Sequence, residues 1–237
     1  MLRPQFLNKR MTINAAFTDP TAVSKYVQGT PQRVPGFADL HRMALVLLSE
    51  RAPTNANILV LGAGGGLELR AFTDARPHWS FVGVAPSRDM LDLGRSVVGT
   101  FDKRVAWIEG YIDDTPNVHF DGATCLLTLH FLSVEERRKT LKAIRARLQP
   151  GAPLIIAHHT SQGVSAERTL ARSIAFAATG PIDWTQVASS ASNMAKHLML
   201  LTRAEEEELL REAGFGEPLL FYTGFSFQGW VAFAQKA

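Results

Sequence analysis

Ile58-Leu59-Val60-Leu61-Gly62-Ala63-Gly64-Gly65-Gly66-Leu67-Glu68-Leu69 decides how the rest of the sequence reads. Four consecutive apolar residues suit a strand covered on both faces, and glycines directly behind them let the backbone turn tightly and approach a ligand closely. A helix follows the loop. A dinucleotide-binding fingerprint needs Gly-x-Gly-x-x-Gly, and Leu67 holds the position that would complete it. The spacing is instead Gly-x-Gly-x-Gly, through Gly62, Gly64 and Gly66.

Upstream of this stretch, residues 19–51 read as helical, interrupted at Pro20, Pro31 and Val34-Pro35-Gly36. The segment 37–50 is the most regular, with Leu40, Met43, Ala44, Val46, Leu47 and Leu48 forming a broad apolar face. Downstream, a helix over 67–75 leads to a strand at 79–84, and Ser87 caps a helix reaching Val98. Strands follow at 105–110, within 120–129 and at 154–157. The helix 134–148 opens on the capping pattern Ser133-x-x-Glu136 and closes at Pro150-Gly151. Residues 160–201 carry no strand pattern and are too long for a bare loop, so they are expected to form a helical lid. A second capping pattern at Thr202-x-x-Glu205 starts another helix, and strands at 219–223 and 229–234 end the chain as an antiparallel pair. Alternating helix and strand at this pitch gives an α/β, Rossmann-like, seven-stranded and mostly parallel sheet, with helices on both faces, an antiparallel C-terminal strand and a helical lid.

The 237 residues, 46% hydrophobic and 20% charged, suffice for one domain over residues 19–237 with a sizeable core. Residues 1–18, basic through Arg3, Lys9 and Arg10, read as a flexible arm, with Met11 an alternative start. A formal charge of +3, with lysine and arginine scattered and not striped, argues against a nucleic-acid partner and for a small-molecule substrate. No run approaches the roughly 20 apolar residues that span a bilayer and no signal core is present, so no membrane partner and a cytoplasmic location are expected. The single cysteine, Cys125, excludes an internal disulfide framework and a cysteine-rich metal site.

Pro86-Ser87-x-x-Met90-Leu91, Leu148-x-Pro150-Gly151 and Ala213-Gly214-Phe215, together with the glycine loop, resemble the pattern of class I S-adenosylmethionine-dependent methyltransferases. Arg33-Val34-Pro35-Gly36-Phe37, Ile108-Glu109-Gly110, Leu129-His130-Phe131-Leu132 and Phe227-x-Gly229 are similar to the carboxy-S-adenosylmethionine synthase-like methyltransferases within that family. The resemblance implies S-adenosylmethionine as cofactor, held by Gly62, Ala63, Gly64, Gly66, Ala85, Pro86, Tyr111, Ile112 and Thr128. It covers the chain from about residue 30 onward. The synthases place an arginine in the lid for an extra carboxylate, whereas the corresponding stretch here is Ala191-Ser192-Asn193-Met194, so that chemistry is not carried over. The family also carries acids two residues before the first glycine, at the end of strand two and after strand three. Those positions hold Val60, Ala85 and Tyr111. Ser87, Arg88, Asp113, Asp114 and the Thr128 backbone are candidate substitutes, with helix capping or solvated loop charge as the plainer role for Arg88 and Asp114.

The expected function is therefore methyl transfer to a small, partly apolar molecule. The alternative is a catalytically silent protein of the same fold, binding a different nucleoside-like or acidic ligand. His130 after strand four and His158 after strand five are the candidate catalytic residues, because ligands bind at the carboxyl ends of parallel strands and histidine exchanges a proton near neutral pH. Capping a strand end is the ordinary alternative for each. His158 and His159 point to opposite sides if the strand continues. A metal site is not expected, since only His197 and scattered acids offer a third ligand. Trp184, Met194, Met199, Tyr222 and Phe225, with Tyr26 and Phe37, are apolar candidates for a substrate pocket or simply for core. The alanine-rich lid offers a face for a second subunit, hence a possible homodimer.

Overall fold

The apolar run behind Ala56 becomes β1 (Asn57–Leu61), whose last four residues are buried because both faces of the sheet around it are covered. The structure is a computed structural model and describes residues 19–236, so the arm expected over 1–18 lies outside the described residues. Two helices precede β1: α1 (Pro20–Arg33) and α2 (Phe37–Ser49). Pro20 does not interrupt α1. It occupies the first turn behind the cap Asp19, where a missing N–H costs nothing, and Pro31 falls in the last turn.

Beyond β1 come α3 (Leu67–Ala75), β2 (Ser80–Ala85), α4 (Arg88–Val98), β3 (Val105–Glu109), β4 (Gly122–Leu126), α5 (Val134–Ala146) and β5 (Pro153–His159). The chain continues through α6 (Ala166–Phe176), α7 (Trp184–Ala195), α8 (Arg203–Glu212), β6 (Leu219–Gly224) and β7 (Phe227–Phe233). The sheet order is β3-β2-β1-β4-β5-β7-β6. The first five strands run parallel, and β7 lies antiparallel between β5 and β6. The expected seven-stranded, mostly parallel sheet with its antiparallel C-terminal strand is thus the observed one. Both capping patterns are reciprocal boxes: Ser133 with Glu136 opens α5, and Thr202 with Glu205 opens α8.

Alternation along the strands divides the core into two layers. Leu59, Cys125, Leu154 and Ile156 face α5 and α8, meeting Leu141, Ile144 and Leu210. Ile58, Val60 and Ile155 face α2 and α3, meeting Leu40, Leu48 and Phe72. Two strand ends differ from the sequence reading for one reason. Antiparallel pairing runs from Pro153↔Phe233 to His159↔Phe227, so both histidines lie inside β5 and β7 begins at Phe227, not at Gly229. Residues 160–201 hold α6 and α7, packed against each other. Among the described residues no helix is long and apolar enough to cross a membrane.

Candidate functional site

The sheet order reverses at β1, flanked by β2 on one side and β4 on the other, so a crevice opens where the loops after these strands diverge. The glycine loop fills that position. Gly62 donates its N–H to the Val84 carbonyl at 2.9 Å, which ties the loop to β2. Its φ is +81°, and a Cβ there would collide with Thr128 Oγ1 in the loop after β4, so both conformation and contact require glycine. Gly66 serves a different purpose, because a Cβ on it would stand 2.6 Å from the Gly94 carbonyl oxygen of α4. It allows α3 and α4 to pack closely.

A cavity of about 630 Å³ opens at the carboxyl ends of these strands, within the size range of small-molecule sites. Gly62, Gly64, Ala85, Pro86, Tyr111, Ile112 and Thr128 all line it. Ala63 and Gly66 do not; they line a smaller cavity beside the loop. Of the candidate substitutes, Ser87 and Asp113 line the large cavity, Ser87 also capping α4 by accepting from the Met90 N–H at 3.3 Å. Arg88 pairs instead with Glu109 at 2.7 Å, and Asp114 accepts the Tyr111 N–H at 2.7 Å. Val60 is buried in the sheet. The walls are mostly apolar, and their charged residues are Asp113, Glu136 and Lys139.

Sequence reasoning left several lining residues unnamed. Leu127 adopts φ +56°, a conformation that costs a side chain roughly 1–2 kcal/mol, and its N–H donates to the Ala157 carbonyl at 2.6 Å. Nothing in its residue type signals this. Phe131, Leu132, Lys139 and Thr140 extend the wall from the turn after β4 into α5. Tyr26, ambiguous in the sequence, lines both cavities, whereas Phe37 and His41 line only the smaller. Trp184, Met194, Met199, Tyr222 and Phe225 line neither, and no residue of 160–201 contributes to either wall.

The structure sets His130 and His158 away from the large cavity, in a buried polar cluster at the end of β5. His158 faces α8 and bonds Glu206 through Nε2 at 2.9 Å, and Arg137 of α5 pairs with the same carboxylate. Arg137 also donates to the carbonyls of Leu129 (2.9 Å) and Met199 (2.8 Å). His159 turns to the other side and meets Ser226 Oγ at 2.6 Å, which in turn meets Ser173 of α6 at 2.6 Å. His130 Nδ1 accepts the His159 N–H at 3.3 Å. Burial, then the neighbouring His159, His158 and Arg137, hold His130 well below the ordinary histidine range. Burial and His158 bring His159 to about 3. Burial alone would raise the Glu206 carboxyl, but His158 and Arg137 outweigh it and hold the group below its ordinary value. The antiparallel ladder and α8 cover His158, and His130 packs against His158 and His159, so their place at strand ends does not bring them to the cavity.

Residues 59–154, the glycine loop and most of the cavity wall, match the family model of a methyltransferase domain. That match spans 96 of the chain's 237 residues. Beyond the family model, the chain is 25% identical over 138 residues to the carboxy-S-adenosyl-L-methionine synthase of Campylobacter lari, covering 58% of this chain and 59% of that protein. It is 18% identical over 219 residues to the synthase of Staphylococcus epidermidis, covering 91% and 95%. Among solved structures it is similar to human N-acetylserotonin methyltransferase in complex with S-adenosylmethionine, with a TM-score of 0.65, 17% identity, and 94% and 59% coverage. The chain therefore spans about three fifths of the Campylobacter and human proteins, and the similarity to the human enzyme is one of fold. The segment that matches the family model runs from β1 through β4 to the start of β5, the part of the sheet on which the cavity opens.

Proposed function

We propose that the protein is an S-adenosylmethionine-dependent methyltransferase acting on a small, partly apolar molecule in the cytoplasm. The observation that carries this reading is the cavity of about 630 Å³ on the glycine loop. Its residues suit a nucleoside thioether. The Gly62 cradle, which a Cβ would fill, and the Thr128 backbone serve the aminoacyl end. Ala85, Pro86 and Ser87 serve the ribose, while Tyr111, Ile112 and Asp113 serve the base.

When bound, the cofactor supplies an activated methyl group on a sulfonium. The protein binds and orients the two reactants and excludes water, which is most of what such a transfer needs. Phe131, Leu132 and Tyr26 extend the apolar wall and are assigned to orienting the methyl acceptor. His130 and His158 are assigned to holding the end of β5, since neither reaches the cavity. Calorimetric titration with S-adenosylhomocysteine tests the reading. Saturable binding at one site per chain with a submillimolar dissociation constant is expected, and millimolar or weaker binding overturns it.

A further inference from the structure

The smaller cavity beside the glycine loop measures about 30 Å³, the room of one water-sized group. Glu68, Tyr26, His41, Gly62, Gly64 and Leu127 are in its wall. Tyr26, Gly62, Gly64, Leu126 and Leu127 line the large cavity too, so the two spaces are neighbours that share this stretch of wall. Glu68 stands in the first turn of α3. Its Oε1 is buried and has no hydrogen-bond partner among the described residues, and the same holds for the neighbouring Thr124 hydroxyl.

Among the described residues, no cation lines the cavity beside this acid. Burial raises Tyr26 of α1 and brings His41 of α2 down to about 4, while burial, with Glu68 itself, raises Cys125 of β4. All three are neutral near pH 7. Burial likewise lifts the Glu68 carboxyl to about 7, with the Thr124 hydroxyl drawing it the other way. A buried carboxyl whose nearest donor is the Thr124 hydroxyl, next to a water-sized space that shares its wall with the ligand cavity, is complementary to one compact cation.

We propose that Glu68 is the counter-charge for a primary ammonium group of the ligand bound on the glycine loop, an assignment that rests on the S-adenosyl reading above. The ammonium donates to Oε1 and stabilises the carboxylate. Where Glu68 is protonated in the free protein, its proton leaves to solvent as the ligand binds, so binding below about pH 7 is coupled to proton release.

The test compares wild type and Glu68→Gln as binders of S-adenosylhomocysteine and of methylthioadenosine, which keeps the nucleoside and thioether but lacks the ammonium. The substitution is expected to weaken S-adenosylhomocysteine at least about tenfold and to leave methylthioadenosine within about twofold. A second measurement requires no variant. In buffers of different ionisation heat, wild type is expected to release close to one proton per S-adenosylhomocysteine at about pH 6 and none at about pH 8.5. Unchanged affinity in Glu68→Gln, equal weakening of both compounds, or absence of proton release at the lower pH overturns the role of Glu68 and leaves the cofactor reading standing. Wild type that binds neither compound overturns both.

Discussion

Ala85 ends β2 with its methyl group in the cavity wall, beside Glu109 of β3 in the sheet register and with no carboxylate of its own to offer a ribose diol. Ala85→Asp restores an acceptor there. Charge-assisted hydrogen bonds of about 1.5–3 kcal/mol gross are expected to tighten S-adenosylhomocysteine roughly tenfold by calorimetry. The nearby Glu109 is already neutralised by Arg88 and does not oppose the change strongly. Unchanged or weaker binding means that the wall is built for something other than a diol. Gly62→Ala acts in the opposite direction, since a side chain at φ +81° collides with Thr128 Oγ1. It is expected to weaken the same ligand more than about tenfold, and Thr128→Ala in the same chain recovers part of the loss by removing the collision. Most of the cavity wall was legible because a loop after an apolar strand and the first residues after parallel strands are positions, and positions follow from chain order. Glu68 was not. An acid in a first helical turn is an ordinary dipole partner in sequence, and only the fold brings it beside Thr124, the residue that faces Val60 across β1 and β4.

At the scale of elements, α5, α8 and β5 are joined by Arg137, Glu206 and His158, all fully buried. The capping boxes and apolar faces of α5 and α8 were readable in the sequence, but both helices also look like solvated charged helices, and nothing local says that one arginine and one glutamate turn inward. The strand-end histidines were misleading for a related reason: the β5 to β7 ladder that holds His158, against which His130 packs, pairs residues about seventy positions apart. Removing one member of a buried ion pair strands the other, at a cost of about 3–5 kcal/mol. Glu206→Ala is therefore expected to lower stability by about that amount in urea unfolding. Glu206→Gln keeps an acceptor for Arg137 and His158 and is expected to cost less. Because the cluster lies outside the cavity wall, the affinity of folded Glu206→Gln for S-adenosylhomocysteine is expected to stay within about twofold of wild type. A larger loss would mean that the cluster shapes the cavity through the turn at Leu129.

The whole molecule carries an unusual set of buried titratable groups, and their signs can be combined. His41 at about 4, His159 at about 3 and His130 well below the ordinary value are each depressed by burial above all. A depressed histidine contributes stability that is full above its unfolded value near 6.5, and that contribution is lost as pH falls toward the folded value, because the unfolded chain takes up the proton first. Glu68, raised to about 7, has the reverse sign: between about 4.5 and 7 the folded chain holds the extra proton, so acidification favours folding. Between about pH 5 and 6 the unfolded state thus binds roughly two more protons than the folded state, and stability is expected to fall by about 3 kcal/mol per pH unit. Against a total of roughly 5–15 kcal/mol, that slope brings acid unfolding forward to the region of pH 4 to 5. Glu206, held below its ordinary value, adds to the loss only below about pH 4.5. Urea unfolding at a series of pH values measures the slope. His41→Phe, which places a similar ring among Phe37, Leu40 and Ala44 without a titrating nitrogen, is expected to make the slope shallower by about one proton. Glu68→Gln is expected to make it steeper by about one proton, since it removes the group that opposes the histidines among the described residues. If both variants keep the wild-type slope, the histidines and Glu68 are solvated enough to titrate normally, and neither the acid sensitivity nor the proton release assigned to ligand binding survives.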